Sequence, residues 1–434
     1  MPTIKNALRM AATSLALILL IALGARLGFA WHQERGLPPN LVGTLPFWNE
    51  TGSIAQALAQ GRGFSDVFRK GTGATAWLTP VYPLVVAGVF RVFGIFTPRA
   101  FFAVVFLNSV FSAGACVPLF FVGKRIRGIA LGSGAAWLWA LFPNAIMIPF
   151  EWVWDTSLSA LLAAAILWAT LELAESQRLR DWCGYGLLWG LALMTNPALA
   201  SLLPFLLGWA AYRARQRAQL PIGRAILAAV AVILCCVPWT VRNYVQFHRF
   251  IPLRSNFAFE LWLGNNEVFD EHSRDVNARV TSYEQVRTYL QIGETAFMER
   301  KWQLAMEFER AHPRLEFALI GGRIVATWMG TEAPIRNFIE ADSTFVRGIF
   351  ILNLLVAIGA FAGIMILYRR RSSYTFPLIV FPVVFPLLYY ATHTSLRYRH
   401  PIDPILILLA AIAVEAMVER AVAAWRSRNA NVTD

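Results

Sequence analysis

The chain has 434 residues, 57% of them hydrophobic and only 15% charged, and a mean hydropathy of +0.51. These figures exclude an ordinary soluble globule, because apolar runs of roughly twenty residues, long enough to cross a bilayer as helix, recur along the chain. The net charge of +13 does not point to nucleic acid: the basic residues form short clusters between apolar runs, as cytoplasmic loops of a polytopic membrane protein do.

The clusters are Lys5/Arg9, Lys124–Arg127, Arg178/Arg180, Arg213/Arg215/Arg217 with Arg224, Arg369–Arg371 and Arg420/Arg426/Arg428. If all are cytoplasmic, neighbouring clusters are separated by an even number of crossings. Residues 8–30 are too long for a signal-peptide core and read as an uncleaved first span. Residues 81–96 are short, interrupted by Arg91 and flanked by Pro80, Pro83 and Pro98, so they read as an interfacial helix. Residues 101–122 then return to the inside. Residues 129–149 go out, Glu151–Asp155 make a short external turn, and 157–173 come back. The run 184–211, broken at Asn196-Pro197, reads as a hairpin of two short helices.

Residues 225–238 lead outward into 239–342, which carries most of the acidic residues and a charged helical stretch at 283–310. Residues 345–368 return, 376–390 go out and 405–417 come back. The expected fold is an all-α polytopic membrane protein with about ten transmembrane helices and both termini cytoplasmic. It divides into an N-terminal module (1–238) with a first external loop (31–100), a small external helical domain (239–342) and a C-terminal module (343–434). Cys116, Cys183, Cys235 and Cys236 lack metal-ligand spacing, and three of them lie in apolar runs, so neither disulfide nor zinc is indicated.

Two external carboxylates stand out. Glu50 heads a helical pattern in which Ile54, Ala55 and Leu58 share a face, and Asp155 ends the second external turn. A carboxylate between an apolar wall and water is a candidate general base, although each could equally cap its helix. The external motif L-R-Y-R-H-P offers Arg397, Arg399 and His400 for a phosphate, or as residues snorkelling to lipid headgroups. Lys70, beside Arg69, and Arg242 are weaker candidates. His393 has no evident partner, and His248, His272 and His312 read as solvated. Gly61, Gly63, Gly71 and Gly73 lack the G-K-[ST] of a P-loop and read as turns.

Several motifs resemble the GT-C-type polytopic glycosyltransferases, namely bacterial relatives of the dolichyl-phosphate-mannose protein mannosyltransferases and of the lipid A aminoarabinose transferase. They are A-x-x-L-A-x-G-x-G-F (55–64), T-A-W-L-T-P-V-Y-P-L (75–84), W-x-x-x-L-M-T-N-P-A (189–198), P-W-T-V-R-N (238–243) and R-Y-R-H-P-I-D-P (397–404). The resemblance covers nearly the whole chain. It implies a catalytic carboxylate in the first external loop, matched by Glu50, and a second acid in the next external turn, matched by Asp155. This chain departs from the pattern in one respect: most relatives carry Asp, often Asp-Glu, about one helical turn earlier, where Phe47-Trp48-Asn49 stand here.

The resemblance implies a polyprenyl-phosphate sugar as donor, and a lipid, glycan or protein as acceptor. Glu50 would be the base in an inverting hexosyl or pentosyl transfer on the external face of the plasma (inner) membrane. Arg397, Arg399 and His400, with Lys70 or Arg242, would hold the departing lipid phosphate. No cofactor is required, and Asp155 is left either to bind a divalent ion or to orient the acceptor. A transporter or flippase is the alternative. It would place charges deep in the spans, where the sequence shows few beyond Glu172 and Glu415. A non-catalytic envelope-assembly protein would leave the external acids without a purpose.

Overall fold

The computed structural model describes residues 13–36, 47, 49–68, 71–151, 153–216, 221–266, 282–330 and 344–430. Lys70, with Arg69, lies outside them, as do residues 431–434 and residues 1–12, which include the Lys5/Arg9 cluster on which the expected placement of the N-terminus rests. The described residues are helical throughout, apart from turns and one isolated bridge between Ser65 and Ala74.

In chain order the helices are α1 (Leu15–Gly36), α2 (Glu50–Ala59), α3 (Val81–Phe93), α4 (Pro98–Gly114), α5 (Cys116–Arg127), α6 (Ile129–Ala140), α7 (Pro143–Glu151), α8 (Thr156–Leu173), α9 (Leu179–Thr195) and α10 (Leu203–Arg215). There follow α11 (Pro221–Phe247), α12 (Phe257–Gly264), α13 (Tyr283–Ile292), α14 (Glu294–Ala311), α15 (Pro313–Met329), α16 (Thr344–Arg369), α17 (Thr375–Val384), α18 (Leu387–Ala391), the single turn α19 (Leu396–Arg399) and α20 (Asp403–Ala430).

Among the described residues, five stretches are long and apolar enough to cross a membrane: Leu15–Arg35, Pro98–Arg127, Thr156–Leu173, Ile222–Phe247 and Thr344–Arg369. A sixth is the pair α6 and α7, bent by 43°. Val81–Phe93 and Thr375–Ala391 are apolar but shorter. The expected spans 101–122, 129–149 and 157–173 thus fall on helices. The break expected at Asn196-Pro197 falls between α9 and α10, where the Asn196 side chain caps the 3₁₀ turn Pro197–Leu202 by accepting from the Ala198 N–H at 3.1 Å. Helix α11 runs on through Pro238 to Phe247, so the segment expected to start at 239 begins inside a helix.

Outward faces of these helices are apolar. Ile226, Ile233, Leu234 and Val241 on α11, and Leu355, Ile358 and Met365 on α16, are exposed, the surface a hydrocarbon solvent demands. The centre belongs to α20, whose Ile405, Leu406, Leu408, Leu409 and Ile412 are fully buried. The chain is a multi-pass membrane protein.

The first span carries a buried charge that the sequence reading did not name. Arg26 of α1 is buried and donates to the carbonyls of Ala22 (2.7 Å), Ala140 (3.0 Å) and Trp139 (3.3 Å) and to Ser112 Oγ (2.9 Å). Ala140 ends α6 at the bend, so the guanidinium supplies a donor to a carbonyl that the broken helix leaves without an intrahelical one. Glu172 and Glu415, by contrast, sit at one end of the bundle in ion pairs. Arg125 reaches Glu172 (2.5 Å) and Glu175 (2.6 Å), and Arg127 reaches Glu415 (3.1 Å) and Glu419 (2.6 Å). Asp155 precedes the first residue of α8 and Glu172 lies near its other end. At 1.5 Å per residue they are about 26 Å apart, so this charged end and the Asp155 end lie on opposite sides of a membrane-thick layer.

Candidate active site

The first loop is shaped before it meets the site. Gly61, Gly63, Gly71 and Gly73 all have positive φ, which makes them turns as expected. The Asp66 carboxylate gathers them by accepting from the N–H groups of Gly71 (3.0 Å) and Gly73 (3.2 Å) and pairing with Arg62. The loop is then clamped from both sides. Arg242 donates to the carbonyls of Thr75 (2.6 Å) and Phe64 (2.7 Å). Opposite, the buried Glu294 accepts from Thr75 Oγ1 (2.5 Å), Ala76 N–H (2.8 Å), Ser255 Oγ (2.6 Å) and Tyr289 Oη (2.7 Å). Phe68, Trp77, Phe259, Tyr289 and Phe297 pack ring on ring beneath this clamp. Glu294→Ala would leave these donors without an acceptor, each such loss costing about 1–3 kcal/mol. The expected result is faster amide exchange across residues 64–77 with the spans unchanged, read by hydrogen-exchange mass spectrometry.

Above the clamp lies a cavity lined by Glu50, Asp155, Glu260, Arg254 and Arg397, with Trp77, Trp154, Tyr389, His393 and Tyr398 among its walls. Glu50 is the first residue of α2. Asn49 caps that helix, its Oδ1 accepting from the Gly52 N–H at 2.9 Å, while its Nδ2 donates to the Val153 carbonyl at 3.4 Å. One side chain therefore both starts the Glu50 helix and ties it to the turn that carries Asp155. Asp155 accepts from Ser159 Oγ at 2.8 Å, and Ser159 accepts in turn from Asn196 Nδ2 at 3.3 Å.

Burial raises the pKa of Glu50. Its own backbone N–H and the Arg397 charge oppose the shift, and Glu260 adds to it. Burial also raises Asp155, against the Ser159 hydrogen bond and the charges of Arg254 and Arg397. For Arg397, burial works against the cation, but Tyr398, Glu260, Glu50 and Asp155 together hold its pKa above the ordinary value. Its guanidinium lies 4.5 Å from the Trp154 ring centroid and 4.6 Å from that of Tyr398, which stacks on Tyr389 at 4.8 Å. Arg254 lines the same cavity and has no hydrogen-bond or ion-pair partner among the described residues.

The cavity thus brings together Glu50, Asp155 and Arg397 of the residues singled out from the sequence. Three others do not reach it. Arg399 and His400 are fully buried and turn inward to Asp403, at 2.8 Å and 3.1 Å, and Arg399 also donates to Asn353 Oδ1 (2.8 Å) and the Trp328 carbonyl (2.9 Å). Arg242 is spent on the loop carbonyls. The expected phosphate role of these three finds no support in their placement: the two arginines are engaged in holding helices and loop together, and His400 is buried against Asp403. Asp155 and Glu50 are not side-chain caps either, since Asp155 makes no cap hydrogen bond to α8 and Asn49 caps α2. The sequence reading missed Glu260 and Arg254, and His393 proves to have partners in Glu260 and Tyr398.

Compared with solved structures, the chain superposes on the oligosaccharyltransferase of Archaeoglobus fulgidus in its apo form with a TM-score of 0.55 at 13% identity. The match covers 96% of this chain and 51% of that one. The same archaeal enzyme, AglB, in complex with an inhibitory peptide and a dolichol-phosphate gives 0.55 at 13% identity over 98% of this chain and 52% of that one. The chain has the GT-C fold. It spans about half the length of those GT-C structures. ArnT from Cupriavidus metallidurans bound to undecaprenyl phosphate aligns more loosely, with a TM-score of 0.40 at 12% identity over 92% of this chain and 76% of that one. Residues 78–241, from Leu78 on the cavity wall to the end of the P-W-T-V motif, match the family described as dolichyl-phosphate-mannose-protein mannosyltransferase. By sequence, no curated protein matches.

Proposed function

We propose that the chain is a membrane glycosyltransferase that moves a sugar from a polyprenyl-phosphate donor to an acceptor hydroxyl or amine on the external face, with inversion at the anomeric carbon. The observation that carries this reading is the convergence of Glu50, Asp155, Arg254 and Arg397 in one aromatic-walled cavity of a GT-C fold, at the end of the bundle opposite the paired basic clusters. The mannosyltransferase match over residues 78–241 and the lipid phosphate held by the archaeal relative support the donor class.

Each group then has a task. Glu50 takes the proton from the acceptor as its oxygen or nitrogen attacks the anomeric carbon. The bond from that carbon to the phosphate oxygen breaks, and its electron pair leaves with the lipid phosphate. Arg397 and Arg254 neutralise the phosphate as it departs, in place of the Arg399, His400 and Arg242 expected from the sequence. Asp155, held by Ser159, orients the acceptor. Cations on the protein suffice for a monophosphate leaving group, so this route is metal-free.

The pH profile tests the base. A carboxylate whose pKa burial has raised is ionised only at higher pH. Transfer from a polyprenyl-phosphate sugar in vesicles should therefore rise with pH along an acid limb lying above 4.5, the ordinary value for Glu. A flat profile through that region, or transfer abolished by chelation, counts against the route.

A further inference from the structure

We infer that Tyr398 and His393 are positioning residues for Arg397, forming a one-way hydrogen-bond relay from Arg397 through Tyr398 and His393 to the backbone of Glu260. The inference rests on the role proposed above for Arg397. The direction of the relay follows from what each atom is able to donate. His393 Nδ1 lies 3.4 Å from the Glu260 carbonyl oxygen, and a carbonyl only accepts, so Nδ1 carries the hydrogen. In the neutral ring Nε2 is then bare, and it accepts from Tyr398 Oη at 3.1 Å. The tyrosine has spent its one hydrogen there, so its oxygen is left to accept from Arg397 Nη2, at 2.9 Å. Burial holds the His393 pKa below its ordinary value despite the Glu260 carboxylate 3.6 Å away, and Arg397 and Arg323 act in the same direction as burial, which keeps the ring in the neutral form the relay needs.

The far end of the relay is fixed in the fold. Glu260 sits on α12, and Arg323 of α15 ties the end of that helix to the 390–391 backbone. It donates to the carbonyls of Gly264 (2.6 Å), Tyr390 (3.1 Å) and Ala391 (3.2 Å). Gly264 approaches the Thr392 carbonyl so closely that a Cβ there would overlap it. Helix α12 and the loop bearing His393 are therefore one unit, and Tyr398 is held on its other side by the Tyr389 stack. A long arginine side chain loses much rotamer freedom when it binds an anion, and a partner that orients it beforehand removes part of that cost. The relay orients Arg397 over Trp154, facing Glu50 and Asp155.

Two measurements on the full chain in nanodiscs test this. In ¹⁵N-histidine NMR, with the His393 signal assigned by its loss in His393→Gln, the neutral ring should carry its hydrogen on Nδ1, and Tyr398→Phe should move the Nε2 resonance, which loses its hydrogen-bond donor, while the hydrogen stays on Nδ1. A wild-type ring protonated mainly on Nε2, or one indifferent to Tyr398→Phe, overturns the relay. In the second measurement the probe is a C55 polyprenyl phosphate. Tyr398→Phe and His393→Ala should each weaken its binding about tenfold, and the double variant should also lose about tenfold, because both changes cut one chain. His393→Gln should recover most of the loss, since the amide oxygen accepts from Tyr398 as Nε2 does. Additive losses, or a Gln variant no better than Ala, overturn the relay. Wild-type protein that fails to bind the polyprenyl phosphate sinks the proposed donor class instead, and the NMR result then decides the relay alone.

Discussion

Glu50→Gln is expected to lower sugar transfer at least about 100-fold, the usual worth of a general base, while raising the melting temperature of the protein at neutral pH. The two effects together separate a base from a helix cap. The amide has nearly the shape of the carboxylate, and Asn49 still caps α2 through the Gly52 N–H, so folding is undisturbed. The sign of the stability change follows from the raised pKa. In the folded protein burial disfavours the ionised form, so stability falls as pH rises through the folded value and the cost is in place at pH 7. Gln does not carry that cost, and its advantage should vanish at pH values below 4.5, where the wild-type carboxyl is neutral in both states. A Glu kept for its place in the first turn of a helix would behave oppositely, since its removal forfeits about 0.3–1 kcal/mol of favourable charge–dipole energy. Thermal melts of the purified protein at pH 4 and pH 7.5, alongside transfer assays in vesicles, read both outcomes. Transfer within a few-fold of wild type removes Glu50 from the role, and a lower melting temperature at pH 7.5 assigns it to the helix.

The features legible in the sequence were those that depend on local pattern. Apolar length placed the helices at Pro98–Arg127 and Thr156–Leu173, and Asn196-Pro197 announced its break, because hydrocarbon burial and a missing backbone donor act within one segment. Glu50 and Asp155 were legible as acids at helix starts beside Trp residues. Their meeting through Asn49 and Val153 was not, since that contact joins positions a hundred residues apart. Arg254 and Glu260 were lost for the same reason, being ordinary charges in a charged segment until α12 packs onto the 390–392 backbone. Arg26 was hidden in an apolar run, and only the bend at Ala140 explains its tolerance there.

In the R-Y-R-H motif, spacing separates the first arginine from the two residues that follow Tyr398. Residues two apart on a helical turn face in opposite directions, so Arg397 and Arg399 do not point to one ligand together. Asp403 lies four residues after Arg399 and three after His400, the spacings at which helical side chains pair. That spacing was the signal that the inner two belong to the fold.

The same division yields the second large effect. Arg399→Ala is expected to cost about 3–5 kcal/mol, a large share of the usual stability of about 5–15 kcal/mol, because it leaves the buried Asp403 carboxylate without its arginine. It also strips a donor from Asn353 Oδ1 and the Trp328 carbonyl, loosening α15 and α16 from the start of α20. Arg397→Ala should instead give folded protein at wild-type yield and weaken donor use tenfold or more, the scale of a lost hydrogen bond to a charged group. Size-exclusion profiles and thermal melts read the first, and the donor KM in vesicles reads the second. Since the cost at Arg399 arises from the orphaned partner, the double change Arg399→Leu/Asp403→Leu should be less damaging than Arg399→Ala alone. Were the double variant worse, or were Arg399→Ala to fold normally and lose only donor affinity, Arg399 would return to the phosphate site and the inward-facing network would be the wrong account of it.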